Sequence, residues 1–224
     1  MVDGRSVEWE LPSAWTVGTS KRLRDAFFDG QFKRPDAPAR ISLPEHPLLL
    51  DRVVEHIFLG TYHLDKGGKL DTIHNATYIP LDASAYTLRD VPDWEVHLRM
   101  YRMGEFFLYD ALKKTAFDKL TDVLMVRLCM NPDTMHTFVQ YTYATEPPLK
   151  KCSDDKGVLK NLAVVASIAH ARKEWSEERQ NEFIEMTKGY EEFVADVQRA
   201  LDENQSIVAP REKEKQKEKG KKTK

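Results

Sequence analysis

Imidazole ligates metals and moves protons near neutral pH, and the chain carries seven histidines. His46, His56 and His63 cluster in sequence. Neither interval puts two of them on one helical turn, as a metal-binding helix would require. They are expected to be solvated or capping side chains. Two cysteines, Cys129 and Cys152, are too few for a disulfide framework and are not spaced like a zinc knuckle. They read as reduced thiols of the cytosol or nucleus. The carboxylates between Glu174 and Glu182 form a charge run, which belongs on a solvated face. No phosphate-binding loop, dinucleotide glycine pattern or nucleophile elbow occurs. The expectation is a protein that is not an enzyme, with no cofactor, no metal and no small-molecule substrate.

Charge is uneven along the 224 residues. The formal net charge is -2. Residues 211–224 hold eight Lys or Arg against three Glu, a local +5, so the rest of the chain carries -7. An acidic body argues against nucleic acid, which needs a basic face. The tail with Lys217, Lys219, Lys221 and Lys222 fits either a nuclear address or a solubilising extension. No run of about 18 apolar residues exists to span a membrane. Met1 to Glu10 is charged and lacks a signal core, so cytoplasmic or nuclear residence is expected.

The elements that would position these groups follow from periodicity and punctuation. Val7, Trp9 and Leu11 alternate as one short strand. Ser20 caps a helix over Lys21 to Asp29, with Leu23, Ala26 and Phe27 on its apolar face. Ile41 and Leu43 share one face of a strand, which Pro44 and Pro47 end. Pro47 also opens a helix carrying Leu49, Leu50, Val53, Val54, Ile57 and Phe58, and Gly60 closes it. Tyr62 returns to the core. Thr77, Tyr78, Ile79 and Leu81 suit a short strand, which Pro80 confines to an edge. Asp93 caps a helix that buries Val96, Tyr101, Met103, Phe107 and Leu108, with Gly104 permitting close helix contact. Tyr109 to Leu124 forms the next, with Leu112, Ala116, Phe117 and Leu120 inward. Asn131-Pro132 starts another. Val158 to Arg172 buries Leu159, Leu162, Val165, Ala166 and Ala169. Beyond the Ser176 cap, one long helix carries a stripe through Phe183, Met186, Tyr190, Phe193, Val194, Val197 and Leu201.

The order of three stretches resembles the BTB/POZ family. The first is the helix ending Ala26-Phe27-Phe28-Asp29-Gly30-Gln31-Phe32-Lys33. The second is Leu43-Pro44, the apolar helix through Leu50, Val53 and Ile57, then Leu59-Gly60-Thr61-Tyr62. The third is the helix pair around Tyr101 and Leu112-Lys113. Together they cover residues 19–125 and resemble most the fungal BTB proteins with a helical tail. The resemblance implies an α+β, mostly helical fold: a small sheet flanked by helices, followed by an all-helical extension. Residues 1–18 stand as an abbreviated N-terminal segment, since BTB domains begin with a hairpin. Residues 19–125 form the domain, with an insertion at 64–93. Residues 126–205 form the helical extension and 206–224 a disordered basic tail.

The same resemblance implies a non-enzymatic protein-interaction module whose partners are a cullin or another BTB chain, as in a ubiquitin-ligase substrate adaptor. Tyr62 to Lys66 lacks the hydrophobic-x-Glu motif usual in cullin binders. The abbreviated N-terminus, lacking the usual dimer-forming material, implies at most weak self-association. The alternative is a nuclear transcription or chromatin regulator that uses the basic tail for targeting.

Overall fold

A computed structural model describes residues 21, 47–64, 88, 90–127, 130–144, 154 and 157–203. The described backbone is helical, joined by turns, and contains no strand among the described residues. This corrects the expected small sheet flanked by helices. The described segments place their backbone hydrogen bonds along helices and in turns, so they offer no ladder to a strand. The stretches read as strands at 7–11, 41–43 and 77–81 lie outside the described residues. So do the Lys21 to Asp29 helix beyond Lys21, the 206–224 tail, and Phe27, Phe32, Leu43 and Pro44.

The chain divides into two compact units, Met1–Val126 and Arg127–Lys224. In the first, α1 spans Pro47–Leu59, α2 Asp93–Phe106 and α3 Asp110–Asp122, the last continuing as a π-helical turn, Val123–Arg127. Pro47 occupies the first helical position, where its missing N–H costs nothing. Gly60 stops α1 with φ +69° and its N–H donates to the His56 carbonyl at 2.9 Å. That left-handed conformation suits glycine. Leu48, Leu49, Val53, Val54 and Ile57 are buried. Asp51, Arg52, Glu55 and His56 are buried too, so the polar as well as the apolar side of α1 is covered, while Leu50 and Phe58 are half-buried and Leu59 is exposed.

Pro92, not Asp93, is the N-cap of α2, and no side chain caps it. The Pro92 carbonyl instead accepts from the N–H groups of Glu95 and Val96 at 3.0 and 3.1 Å. Trp94, Val96, Leu98, Met100, Tyr101 and Met103 are buried. The α2–α3 corner is tight. Phe107 is buried, but Leu108 turns outward with φ +51°, contrary to its expected burial. Gly104 lets α3 approach: a Cβ there would lie 2.8 Å from the Lys113 backbone nitrogen. Leu112, Ala116 and Leu120 face inward and Phe117 is half-buried.

In the second unit, α4 spans Pro132–Tyr143, α5 Val158–Lys173 and α6 Glu177–Thr187, and α7 covers 191–203. Asn131 caps α4 by accepting from the Thr134 N–H at 2.8 Å. The Asp154 carboxylate caps α5, accepting from Val158 and Lys160 N–H groups at 2.7 and 3.0 Å, which places negative charge at the positive end of the helix. Leu159, Leu162, Ala163, Val164 and Ala166 are buried. Val165, expected on the buried stripe, is exposed while its neighbour Val164 is buried, and Ala169 is half-buried. Ser176 caps α6 as expected. The single long helix expected beyond it is two, broken at 188–190, where Gly189 relaxes the backbone.

Candidate functional site

Among the described residues, two groups of side chains stand out, one in each unit. In the first, chemistry-bearing residues converge between α1, α2 and α3. His56 Nδ1 shares a hydrogen bond with the Tyr109 hydroxyl at 2.9 Å, and Nε2 shares one with Thr115 Oγ1 at 3.0 Å. Tyr62 and His97 Nδ1 pair at 2.9 Å. Burial, then the nearby Lys119 charge, lowers the His56 pKa. The ring is therefore held neutral, donating through one nitrogen and accepting through the other. Burial raises the Tyr62 and Tyr109 hydroxyls.

Beside them, Arg52 Nη1 donates to Glu55 Oε2 at 2.7 Å, and the His63 N–H donates to the same oxygen at 3.1 Å. The His63 ring also bonds Glu55. Burial pushes the Glu55 carboxyl up, but the bonds from His63 and Arg52 outweigh it and hold it low. His56 is thus a core residue, which corrects its expected solvation or capping role. Its partners lie far along the chain, where local spacing gives no sign of them. His63 is exposed, and His46 lies outside the described residues.

This network joins α1, α2 and α3, and its central rings are closed to solvent. His56 and Tyr62 are 1% exposed. Among the described residues, no three His, Cys, Asp or Glu side chains gather as metal ligands. Val53, Ile57, Tyr62, Tyr101 and Leu112 are buried here as core side chains, and Gly60 ends α1. Lys217, Lys219, Lys221 and Lys222 lie outside the described residues.

The second unit carries an open groove of about 580 Å³. Three helices wall it, each with one stripe at helical spacing. From α5 and the corner after it come Ser167, Ile168, Ala171, Arg172 and Trp175. From α6 and its C-cap come Gln180, Phe183, Ile184, Thr187 and Lys188. From α7 come Phe193, Val194, Val197, Gln198 and Leu201.

Its floor is aromatic and fixed. Trp175 and Phe183 rings lie 4.9 Å apart, and Phe183 meets Phe193 edge-on at 6.1 Å. Trp175 Nε1–H donates to the Met130 carbonyl at 2.6 Å. Gln180 Nε2 donates to the Ala171 and Trp175 carbonyls at 2.9 and 3.0 Å, pinning the α5–α6 corner. Behind α7, Phe193 packs on Tyr143, whose hydroxyl donates to Asp196 at 2.9 Å.

The groove's rim is apolar yet exposed: Ile184 is 59% and Val194 46% accessible. Thr187 Oγ1 satisfies itself on the Phe183 carbonyl at 2.8 Å, whereas the buried Ser167 hydroxyl has no partner. No family model, curated protein or solved structure matches this chain.

The stripe's spacing marks Phe183, Phe193, Val194, Val197 and Leu201 as core; Phe183 and Phe193 are buried, whereas Val194 is exposed and Val197 and Leu201 are half-buried, because the chain breaks at 188–190. One straight helix would hide the stripe against a single neighbour. Two helices and α5 turn it into walls. Arg172, Trp175, Gln180 and Lys188 gave no signal by type, although each falls on the helical repeat of its own wall.

Proposed function

We propose that this chain is a non-enzymatic protein-interaction protein, and that the groove between α5, α6 and α7 is its docking surface. The observation that supports this reading is the exposed apolar rim of Ile184 and Val194 above a fixed aromatic floor. Contiguous exposed apolar surface in a defined concavity is characteristic of binding sites. Docking to a cullin, or to another chain of the resembled family, is the finer form of the proposal and rests on the sequence resemblance alone.

Affinity capture with the full chain tests the reading, followed by direct binding of the purified captured protein. Wild type and Val165→Asp retain the partner, because Val165 is exposed but lies off the groove. Ile184→Asp loses it. Equal binding by all three chains would overturn the assignment.

A further inference from the structure

We infer that the groove takes an amphipathic helix of a partner protein, with acidic residues at both ends of its apolar stripe. The inference rests on the docking reading above. Three helical walls leave space for a fourth element, and an amphipathic helix laid in a groove presents side chains at i, i+4 and i+7. Each wall's stripe spans nine positions, from Ser167 to Trp175, Gln180 to Lys188 and Phe193 to Leu201. At 1.5 Å per residue that is about 12 Å, a little over two turns of an occupying helix.

Charge sets the chemistry of the ends. The lining holds Arg172 and Lys188 and, among the described residues, no carboxylate. Gln180 binds the Ala171 carbonyl, so the α6 wall begins beside Arg172 and ends at Lys188. The two cations therefore stand at opposite ends of that wall. Arg172 has no ion pair among the described residues. Lys188 meets Glu185, but both are exposed, and such a surface pair contributes little. An occupant with carboxylates seven or eight residues apart meets both cations while its apolar stripe covers Ile184 and Val194. Arginine also offers a bidentate fork to the carboxylate.

A phage-displayed library of helical peptides, selected on the full chain, tests this. Enrichment of apolar residues at i, i+4 and i+7 with Asp or Glu at both ends, lost on Ile184→Asp, is the expected result. Arg172→Glu should invert the preference at one end to Lys or Arg, with at least a tenfold loss for the wild-type binders. Groove-dependent enrichment without acidic ends would overturn the inference and leave the docking reading standing. Enrichment that ignores Ile184→Asp, or none, would overturn both. Saturable calorimetric binding of dodecanoate, abolished by Ile184→Asp, would assign the groove to a small apolar acid and also overturn the inference. Ile184 is exposed, so circular dichroism of Ile184→Asp should match wild type.

Discussion

Replacing Gly104 with alanine sets two physical effects against each other. Helix propensity favours alanine by about 1 kcal/mol in a helix interior. Packing opposes it. The new Cβ would lie 2.8 Å from the Lys113 nitrogen and 2.9 Å from its Cα. These are backbone atoms in the first turn of α3, and the Lys113 N–H is committed to the Tyr109 carbonyl at 3.1 Å. A flexible side-chain tip could yield, but this backbone cannot without moving the helix. Displacing α3 strains the Glu105–Lys113 ion pair at 2.9 Å and the Tyr101–Phe117 ring contact at 6.3 Å. Overpacking costs about 1–3 kcal/mol, and two contacts under 3.0 Å with backbone atoms belong to the upper part of that range, about 2–3 kcal/mol. Net of propensity, Gly104→Ala should destabilise by about 1–2 kcal/mol, or roughly tenfold in the opening equilibrium. Hydrogen exchange of the α2 and α3 amides is the assay, because it reads the first unit alone. Gly189→Ala is the control: its Cβ meets nothing within 4 Å, and it should leave those amides unchanged. Unchanged or increased protection in Gly104→Ala would refute the close-approach reasoning.

Val53→Asp puts a carboxylate on a side of α1 that is 4% exposed. The penalty of several kcal/mol is comparable with a domain's stability of about 5–15 kcal/mol, so α1 amides should lose protection; retained protection would contradict the burial of α1. His56 is held neutral in the fold, so below its unfolded pKa of about 6.5 only the unfolded chain takes up the proton. Its contribution is full above that pH and is lost as pH falls below it, so the denaturant midpoint should drop between pH 7.5 and 5.5, less steeply in His56→Gln; identical slopes would refute the assignment. Glu55, held low, acts in a lower window: its contribution persists above the ordinary carboxylate pKa of about 4.3 and is lost as pH falls through its folded value. Ser167→Ala removes a buried hydroxyl without a partner and adds a better helix former, so urea unfolding should show about 1 kcal/mol of added stability; a loss would reveal a bond to that hydroxyl.

Helix ends were legible where a single residue type has one physical use. Pro47, Gly60, Asn131-Pro132 and Ser176 each marked a boundary that the structure places there. Asp93 was misread because a carboxylate in the first turn and one at the cap look alike in sequence. The expected sheet came from the family resemblance; the stretches meant to supply its strands lie outside the described residues, and the described segments are helices and turns. Burial of His56 depends on Tyr109 and Thr115, brought together only by the fold. The groove was half legible: its stripe was readable, but the 188–190 break converts a core face into a concavity.

Site-specific photo-crosslinking tests the docking groove most directly. A benzophenone amino acid replaces Ile184, Val194 or, as control, Val165, which is 53% exposed outside the groove. Illumination in cells should give one discrete protein adduct from positions 184 and 194 and none from 165. The same adduct from all three positions, or no adduct at 184 and 194, would contradict a docking role for the groove.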